Sequence, residues 1–485
     1  MSPYWMNNSC DPFFGPSGAC TLGNLASYAI DVTGAQDVIA GVSFASSNNI
    51  RLTIKNTGHD YLGRSAGAGS LALWTHNLKN ITFLNYSSAH YTGPAARLGA
   101  GVEGTDLIPA AAANGFRVLG GSCPTVGVTG GFTQGAGHSP LSAKYGLGAD
   151  QVLEFEVVTA LGVHTTASAT QNRDLYRALR GGGAGNYAVV LSMTVKAYPD
   201  GPVAGAGFLI VNDDDNKYWA AVEAWLKHLL VLDTIEGYMT GFTITAFEFA
   251  LAFSLLPDTT AVDDITSPLA PFFAELDALN VTLAQSGALI SANYGDWYQT
   301  WAAPFAYSTN NSLGGRLISR SAVQNNLTNL VAVFRDIAEY SAAQVGGSAL
   351  NGITVNLTEA RIGSAALPGA NAVLPAWRDA LFTLNFGIPL AEDADWETIS
   401  FGQGWINGKQ DELRAVTPGG GTYMNEATWD NPNWKEDYFG DNYDALLAIK
   451  ALYDPLSLFW ANAAVGSDLT WVRAADGRLC RPTNL

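Results

Sequence analysis

Apolar residues recur along this chain at two spacings, and the changes from one to the other mark out its elements. Between Gly34 and Asn48, Val38, Val42 and Ala45 share one face of a predicted helix. Arg51 to Lys55 then alternates, with Leu52 and Ile54 set against polar neighbours, which predicts a short strand. A second region follows the same logic. Gly115 to Leu119 leads into a glycine-rich stretch, and Val152 to Val158 predicts a strand with a short return strand after Gly162. Asp174 to Arg180 predicts a helical turn, and Asn186 to Tyr198 a long strand with Val189, Leu191, Met193 and Val195 on one face. Tyr198-Pro-Asp-Gly201 breaks that strand and marks a boundary.

The middle of the chain reads differently. Asn216 to Leu232 carries Tyr218, Trp219, Val222, Trp225, Leu226 and Leu229 at helical spacing, and strand-like runs occur at Phe208–Val211 and Gly241–Ala252. Long amphipathic helices between strands predict an antiparallel sheet covered on one side, an α+β layer. Asn442 to Tyr453 predicts a last helix, stopped by Asp454-Pro455. The expected division is a first domain of two α+β subdomains over 1–200, a second domain over 201–405, and a segment over 406–485 that returns to the first.

Composition narrows the function. The 485 residues are 48% hydrophobic and 14% charged, with a formal net charge of −18. That sign repels phosphate backbones and anionic lipid, so neither nucleic acid nor membrane is an expected partner. The most apolar run, Phe242 to Leu256, contains Glu248 and falls short of the ~20 residues a membrane span needs. Cys10 and Cys20 lie in a loop rich in Pro, Gly and Asn, and sequons occur at Asn7, Asn80, Asn85, Asn280, Asn310, Asn326 and Asn356. These favour a secreted, glycosylated protein with a Cys10–Cys20 disulfide and a leader peptide not present in this chain; a monomer is expected, and Cys480 is either a free thiol or paired with a cysteine of a missing N-terminal segment.

The chemistry concentrates in two turns. His59 sits in Lys55-Asn-Thr-Gly-His-Asp-Tyr-Leu-Gly-Arg-Ser65, directly after a strand. Cys123 sits in Gly120-Gly-Ser-Cys-Pro-Thr-Val-Gly-Val-Thr-Gly-Gly131, and seven of the eighteen residues from Gly120 to Gly137 are glycine. Glycine lets backbone approach a ligand closely, and loops of N–H groups suit a pyrophosphate. Neither turn is a Walker loop or a dinucleotide fingerprint. A histidine and a lone cysteine aimed at one flat cofactor point to a flavin held by two covalent bonds. No cluster has metal-ligand spacing. His138, His76, His90, His164 and His228 are expected in structural or supporting places.

The run Asn56-Thr-Gly-His-Asp-Tyr-Leu-Gly-Arg64 with Trp74-Thr-His-Asn-Leu78 resembles the FAD-binding part of the vanillyl-alcohol oxidase / p-cresol methylhydroxylase superfamily. Cys123-Pro-Thr-Val-Gly-Val-Thr-Gly-Gly131, Lys144-Tyr-Gly-Leu-Gly-Ala-Asp150, Arg180-Gly-Gly-Gly-Ala-Gly-Asn186 and the tail from Tyr438 to Pro455 are similar to its berberine bridge enzyme branch in fungal form. The resemblance implies FAD bonded through its 8α-methyl to His59 and through C6 to Cys123. It places Asn56, Thr57, Gly58, Asp60, Tyr61, Gly63, Arg64, Ser65, Gly121, Ser122, Val126, Gly127, Gly130, Gly131, Val189 and Asn425 at the cofactor. Val126, small and three residues after the cysteine, goes with use of O2 as oxidant. Tyr423 and Asn425, in a Tyr-x-Asn pattern expected on one face of a strand, and Tyr61 are the expected catalytic residues, with Tyr423 or Tyr61 as base. Trp405-Ile-Asn-Gly-Lys409 stands where plant relatives carry a Pro-His-Arg loop, so plant alkaloid chemistry is not expected. The implied reaction is hydride transfer from an alcohol or hemiacetal carbon, in an oligosaccharide or a small aromatic or secondary-metabolite alcohol, to flavin N5, with O2 giving hydrogen peroxide. An oxidative cyclase or dehydrogenase, and a binding protein without turnover, are the alternatives.

Overall fold

The computed structural model describes residues 20–304, 311–345, 349–366, 369–391, 394–473 and 479–480. Its N-terminal part has two small sheets. Three parallel strands stand in the order Tyr28–Asp31, Leu71–Trp74, Leu52–Lys55. Helix Ala35–Ser47 covers them, and its Val38, Val42 and Ala45 pack with Leu73, Val158 and Val189. The five-stranded antiparallel sheet has the order Ile81–Ser87, Thr92–Gly99, Ala188–Lys196, Val152–Thr159, His164–Ser168. The predicted helix and strands of this part thus form within a residue or two of their expected ends.

The long strand Ala188–Lys196 carries one irregularity that matters for the cleft. Glu156 pairs with Ser192, but the next residue, Val157, pairs with Val190, so Leu191 is an extra residue. Such a bulge inverts the faces on its two sides. Val189 therefore packs under helix Ala35–Ser47, whereas Met193 and Val195 enter the other core with Val190. The expected shared face of Val189, Leu191, Met193 and Val195 is corrected accordingly.

The α+β layer is a seven-stranded antiparallel sheet in the order Gln285–Ser291, Val203–Val211, Glu248–Pro257, Met239–Ile244, Leu350–Thr354, Ala380–Pro389, Asn311–Ser319. One face buries Phe208, Phe242, Phe382 and Leu384 against helices Asp215–Leu232, Ala270–Leu279, Arg320–Val345 and Trp396–Val416. Asp214 starts the first of these by accepting from the N–H groups of Asn216 and Lys217 at 3.1 and 3.2 Å. The run Gly241–Ala252, expected as one strand, is a hairpin that turns between Ile244 and Glu248. The expected border at 405/406 falls inside helix Trp396–Val416, whose Ile406 and Leu413 lie in this core, so the layer runs on to Val416. Buried Arg117 joins the two modules, reaching Asp200 at 3.2 Å and Asp258 at 2.9 Å.

After Val416 the chain returns to the N-terminal module. Helix Tyr443–Tyr453 lies beside Leu175–Leu179, and Phe459 bridges in parallel to Leu52. Lys450, buried, donates to Asn186 O at 2.7 Å, Phe459 O at 2.6 Å and Asp454 Oδ2 at 2.6 Å. Burial lowers the Lys450 pKa, and the Asp454 carboxylate opposes that shift. Among the described residues no helix is long and apolar enough to cross a membrane. Cys20 is disulfide-bonded, its expected partner Cys10 lies outside the described residues, and Cys480 is free and exposed.

Asp454→Ala leaves the Lys450 charge buried without its counter-ion. The variant should lose about 3–5 kcal/mol of stability, read by denaturant unfolding; a loss within 0.5 kcal/mol would show that Lys450 finds water or sheds its proton at little cost.

Candidate active site

A cleft of about 470 Å³ lies between the N-terminal module and the open face of the seven-stranded sheet, within the size range of small-ligand sites. The His59 turn is folded by its own acid. The Asp60 carboxylate accepts from Leu62 N at 3.1 Å and from Ser65 N at 2.8 Å. Gly58 at φ +92° and Gly63 at φ +72° supply backbone conformations that residues with a Cβ rarely adopt. Arg64 then donates to Asn462 O at 3.0 Å and Ala463 O at 3.2 Å, and Asn462 donates back to Leu62 O. The C-terminal segment thereby fixes the turn that presents His59.

The second turn is held from the other side. Tyr298 donates to Ser122 O at 2.8 Å and lies 3.1 Å from Gly121 O. The two turns touch through Asn56, whose amide donates to Ala100 O at 2.5 Å and Thr75 Oγ1 at 3.2 Å. Gly127 and Gly130 pass so close that a Cβ on either would run into the Asn56 side chain. The result brings the two predicted attachment residues to one hydroxyl. His59 Nε2 lies 2.8 Å and Cys123 Sγ 3.6 Å from Thr125 Oγ1. The His59 residue is exposed at the cleft, and the partial desolvation of its ring lowers its pKa.

Of the expected cofactor residues, Asn56, Thr57, Gly58, His59, Asp60, Tyr61, Arg64, Ser65, Gly121, Ser122, Cys123, Val126, Gly127, Gly130, Gly131 and Asn425 line the cleft. Gly63 serves the turn without lining it, and the bulge at Leu191 puts Ala188 and Val190 there instead of Val189. Among the described residues, five lining side chains hold a buried polar atom with no hydrogen-bond partner: Asn56 Oδ1, Ser122 Oγ, Thr129 Oγ1, Gln134 Oε1 and His138 Nδ1. Buried polar atoms are costly when unpaired, so this wall is built for a ligand rich in hydrogen-bonding atoms. With Val126, Phe132 and Val190 beside it, the wall fits a flat, partly polar ring system such as a flavin.

Tyr423 and Asn425 meet as expected, with Asn425 Nδ2 donating to the Tyr423 phenol at 2.9 Å and to Gly131 O at 2.8 Å. They do so from an extended segment and turn rather than from a strand. Thr422 Oγ1 bonds Gly315 O and Leu317 N bonds Gly421 O, which ties that segment to the edge strand Asn311–Ser319. Burial pushes the phenols of Tyr61 and Tyr423 well above their ordinary value, and the charge of Glu426 adds to both. Neither phenol is ionised at neutral pH by its own surroundings.

His138 was expected in a supporting place, yet it lines the cleft and lies 2.8 Å from Glu426 Oε1. Glu426, Asn385, Asn351, Thr243 and Thr129 also line it and were not foreseen. Thr129 belongs to the glycine-rich motif and was within reach of sequence reasoning. Glu426 follows Asn425 in the same turn, whereas Asn385, Asn351 and Thr243 come together only through sheet pairing. Among the described residues no group of acidic, histidine or cysteine side chains could hold a metal ion.

Comparison with known proteins agrees with this geometry. Residues 26–168 match the family described as FAD binding domain, and residues 422–466 match the family described as berberine and berberine like. A bifunctional decalin synthase, calF, of Penicillium decumbens is 43% identical over 99% of this chain and 83% of its own length. The crystal structure of the VAO-type flavoprotein MtVAO615 from Myceliophthora thermophila C1 superposes with a TM-score of 0.91 at 39% identity, over 99% of this chain and 87% of that one. The fold also extends, at 18% identity and a TM-score of 0.74 over 92% and 93% of the two chains, to a glucooligosaccharide oxidase of Acremonium strictum described with a 6-S-cysteinyl, 8α-N1-histidyl FAD. The chain belongs to the berberine-bridge-enzyme-like branch of the VAO-type flavoproteins, and it is an FAD-dependent oxidoreductase.

Gly127→Ala tests the contact that joins the two turns. The added methyl must push Asn56 off Ala100 O, at an expected cost of about 1–3 kcal/mol and with reduced flavin content by absorption. Wild-type stability and wild-type flavin content together would contradict this account of the contact.

Proposed function

We propose that this protein is an oxidase whose FAD is bonded to both His59 and Cys123. The observation that carries the reading is the approach of both side chains to the Thr125 hydroxyl, in a cleft whose wall fits a flavin. Asn56, Thr57, Gly58, Asp60, Tyr61, Arg64 and Ser65 would hold the cofactor along one turn, and Gly121, Ser122, Val126, Gly127, Gly130 and Gly131 along the other. When bound, a flavin supplies the hydride acceptor and passes its electrons to O2, with hydrogen peroxide as product.

The protein's own residues do the rest. His59, with its pKa lowered by desolvation, is neutral and carries a free ring lone pair near neutral pH. A thiolate at Cys123 is the natural second nucleophile. The cleft offers Tyr423 and Asn425 from the turn after Gly421, and Tyr61 from the His59 turn, to a substrate hydroxyl, so the substrate class is an alcohol or a hemiacetal, in an oligosaccharide or in a small aromatic or secondary-metabolite alcohol. A second reading, oxidation coupled to cyclisation of a secondary metabolite, is favoured by the decalin synthase relative. A secreted, glycosylated monomer is part of the proposal. Asn80 and Asn280 are exposed sequons that support it, while Asn356 is buried and bonded to Asp233 O at 2.7 Å and offers no acceptor.

Two measurements test the reading. Air-equilibrated protein is screened for peroxide release with oligosaccharides, aromatic alcohols and polyketide alcohols; at least one should give peroxide and a carbonyl product in equal amounts. A flavin-loaded protein that no compound bleaches anaerobically would be a binder instead. In a second assay, apoprotein is incubated with FAD across a pH series. Attachment at His59 should reach half its full rate at a pH below the ordinary histidine value of 6.5, because the charged ring has no lone pair to give. A half-rate point above 6.5 would contradict the lowered pKa.

A further inference from the structure

The sheet wall of the cleft carries polar side chains in a single row. Thr243, Asn351 and Asn385 are direct partners across three adjacent strands. Thr243 Oγ1 donates to Asn351 Oδ1 at 2.9 Å, Asn351 Nδ2 to Asn385 Oδ1 at 3.1 Å, and Asn385 Nδ2 to Glu426 Oε2 at 3.1 Å. The other Glu426 oxygen is 2.8 Å from His138 Nε2. All five residues line the cleft.

The direction of the row is fixed from its end. An ionised carboxylate only accepts, so Asn385 must turn its NH2 toward Glu426, which leaves its carbonyl for Asn351 and, by the same step, the Asn351 carbonyl for Thr243. Every donor therefore points at one carboxylate. That carboxylate is also the reachable group. The Glu426 side chain is 22% exposed, whereas Tyr423 is 4% exposed and its phenol oxygen already accepts from Asn425 and from the Gly137 N–H.

We propose that Glu426 takes up the hydroxyl proton of the substrate, with His138, Asn385 and Asn351 as positioning residues that keep its carboxylate charged and aimed into the cleft. This rests on the flavin oxidase reading above. The substrate O–H bond breaks toward a Glu426 oxygen, and its electron pair closes the carbon–oxygen double bond. The C–H hydrogen leaves with its two electrons to the flavin, and Glu426 later returns the proton to water. Burial opposes the charge on Glu426, but the His138 and Asn385 hydrogen bonds outweigh it and its pKa lies below the ordinary carboxylate value. The titratable groups that face it are His138, Tyr61 and Tyr423. With the carboxylate charged, the tyrosines remain protonated and orient the hydroxyl.

The test compares wild type, Glu426→Gln and Asn385→Ala, each first checked for flavin content. The probe is whichever compound of the peroxide screen bleaches the wild-type flavin anaerobically. Wild type should lose its bleaching rate as pH falls through the low Glu426 pKa. Glu426→Gln should bleach roughly 10²-fold slower or worse, the size expected for a lost general base, and without that acid limb. Asn385→Ala, short of one donor, should keep the limb but move it to higher pH. Infrared pH-difference spectra without substrate, taken as wild type minus Glu426→Gln, should isolate one carboxylic acid band, which Asn385→Ala displaces to higher pH. Wild-type bleaching and an unchanged pH profile in a flavin-replete Glu426→Gln would overturn the proposal while leaving the oxidase reading intact. If Glu426→Gln binds no flavin, an unmoved limb and band in Asn385→Ala overturn it. A wild-type flavin that no compound bleaches removes both.

Discussion

The packing of Gly127 and Gly130 against the Asn56 amide is the constraint on which the site depends. It joins the end of a parallel strand to the glycine-rich turn so closely that a Cβ at Gly127 would collide with the Asn56 amide and one at Gly130 would press on it. Asn56 secures the contact by hydrogen bonds to Ala100 O and Thr75 Oγ1. On one side of this joint the chain presents His59, on the other Cys123, and both reach Thr125. The C-terminal segment closes the arrangement from outside, since Arg64 donates to Asn462 O and the Asn462 amide donates to Leu62 O. Two short motifs far apart in the chain can act together because of this one close approach.

The sheet layer contributes a different physics. Its helix-covered face is a conventional aromatic and aliphatic core, with Trp225 in edge contact with Phe208, Phe242 and Phe272, and Phe208 stacked on Phe272. The opposite face is left to the cleft and carries the Thr243–Asn351–Asn385 row. The half-buried amides there are satisfied in sequence and end on a charge, which makes the row directional rather than a set of interchangeable polar groups. The cofactor wall and the substrate wall thus have separate origins in the chain, one in glycine turns and one in strand register.

Much of this was legible in the sequence where local rules decide. The i, i+4 spacing of Val38 and Val42 gave helix Ala35–Ser47, and the alternation of Leu52 and Ile54 gave the strand before His59. The family resemblance named His59, Cys123 and most of the residues that line one wall of the cleft. What failed depended on pairing. The extra residue at Leu191 flipped Val189 away from the cleft, and no residue type announces a bulge of that kind. The hairpin at 245–247 contains Thr245, Ala246 and Phe247, with no glycine or proline to mark a turn. Glu426 and His138 stand 288 positions apart, and Asn351 and Asn385 meet only through strand register, so no local pattern names them. Tyr423 and Asn425 were found from the motif although the strand expected to carry them is a turn.

The most direct measurement of the central claim is the mass of two peptides. Protein purified with its native yellow colour is precipitated in acid, digested, and the peptides containing His59 and Cys123 are analysed together with those of His59→Ala and Cys123→Ala. The account predicts that colour stays with the protein pellet, that one FAD joins both wild-type peptides, and that each single variant retains the flavin on the remaining residue. Flavin released into the supernatant, with both peptides at their unmodified masses, would contradict it.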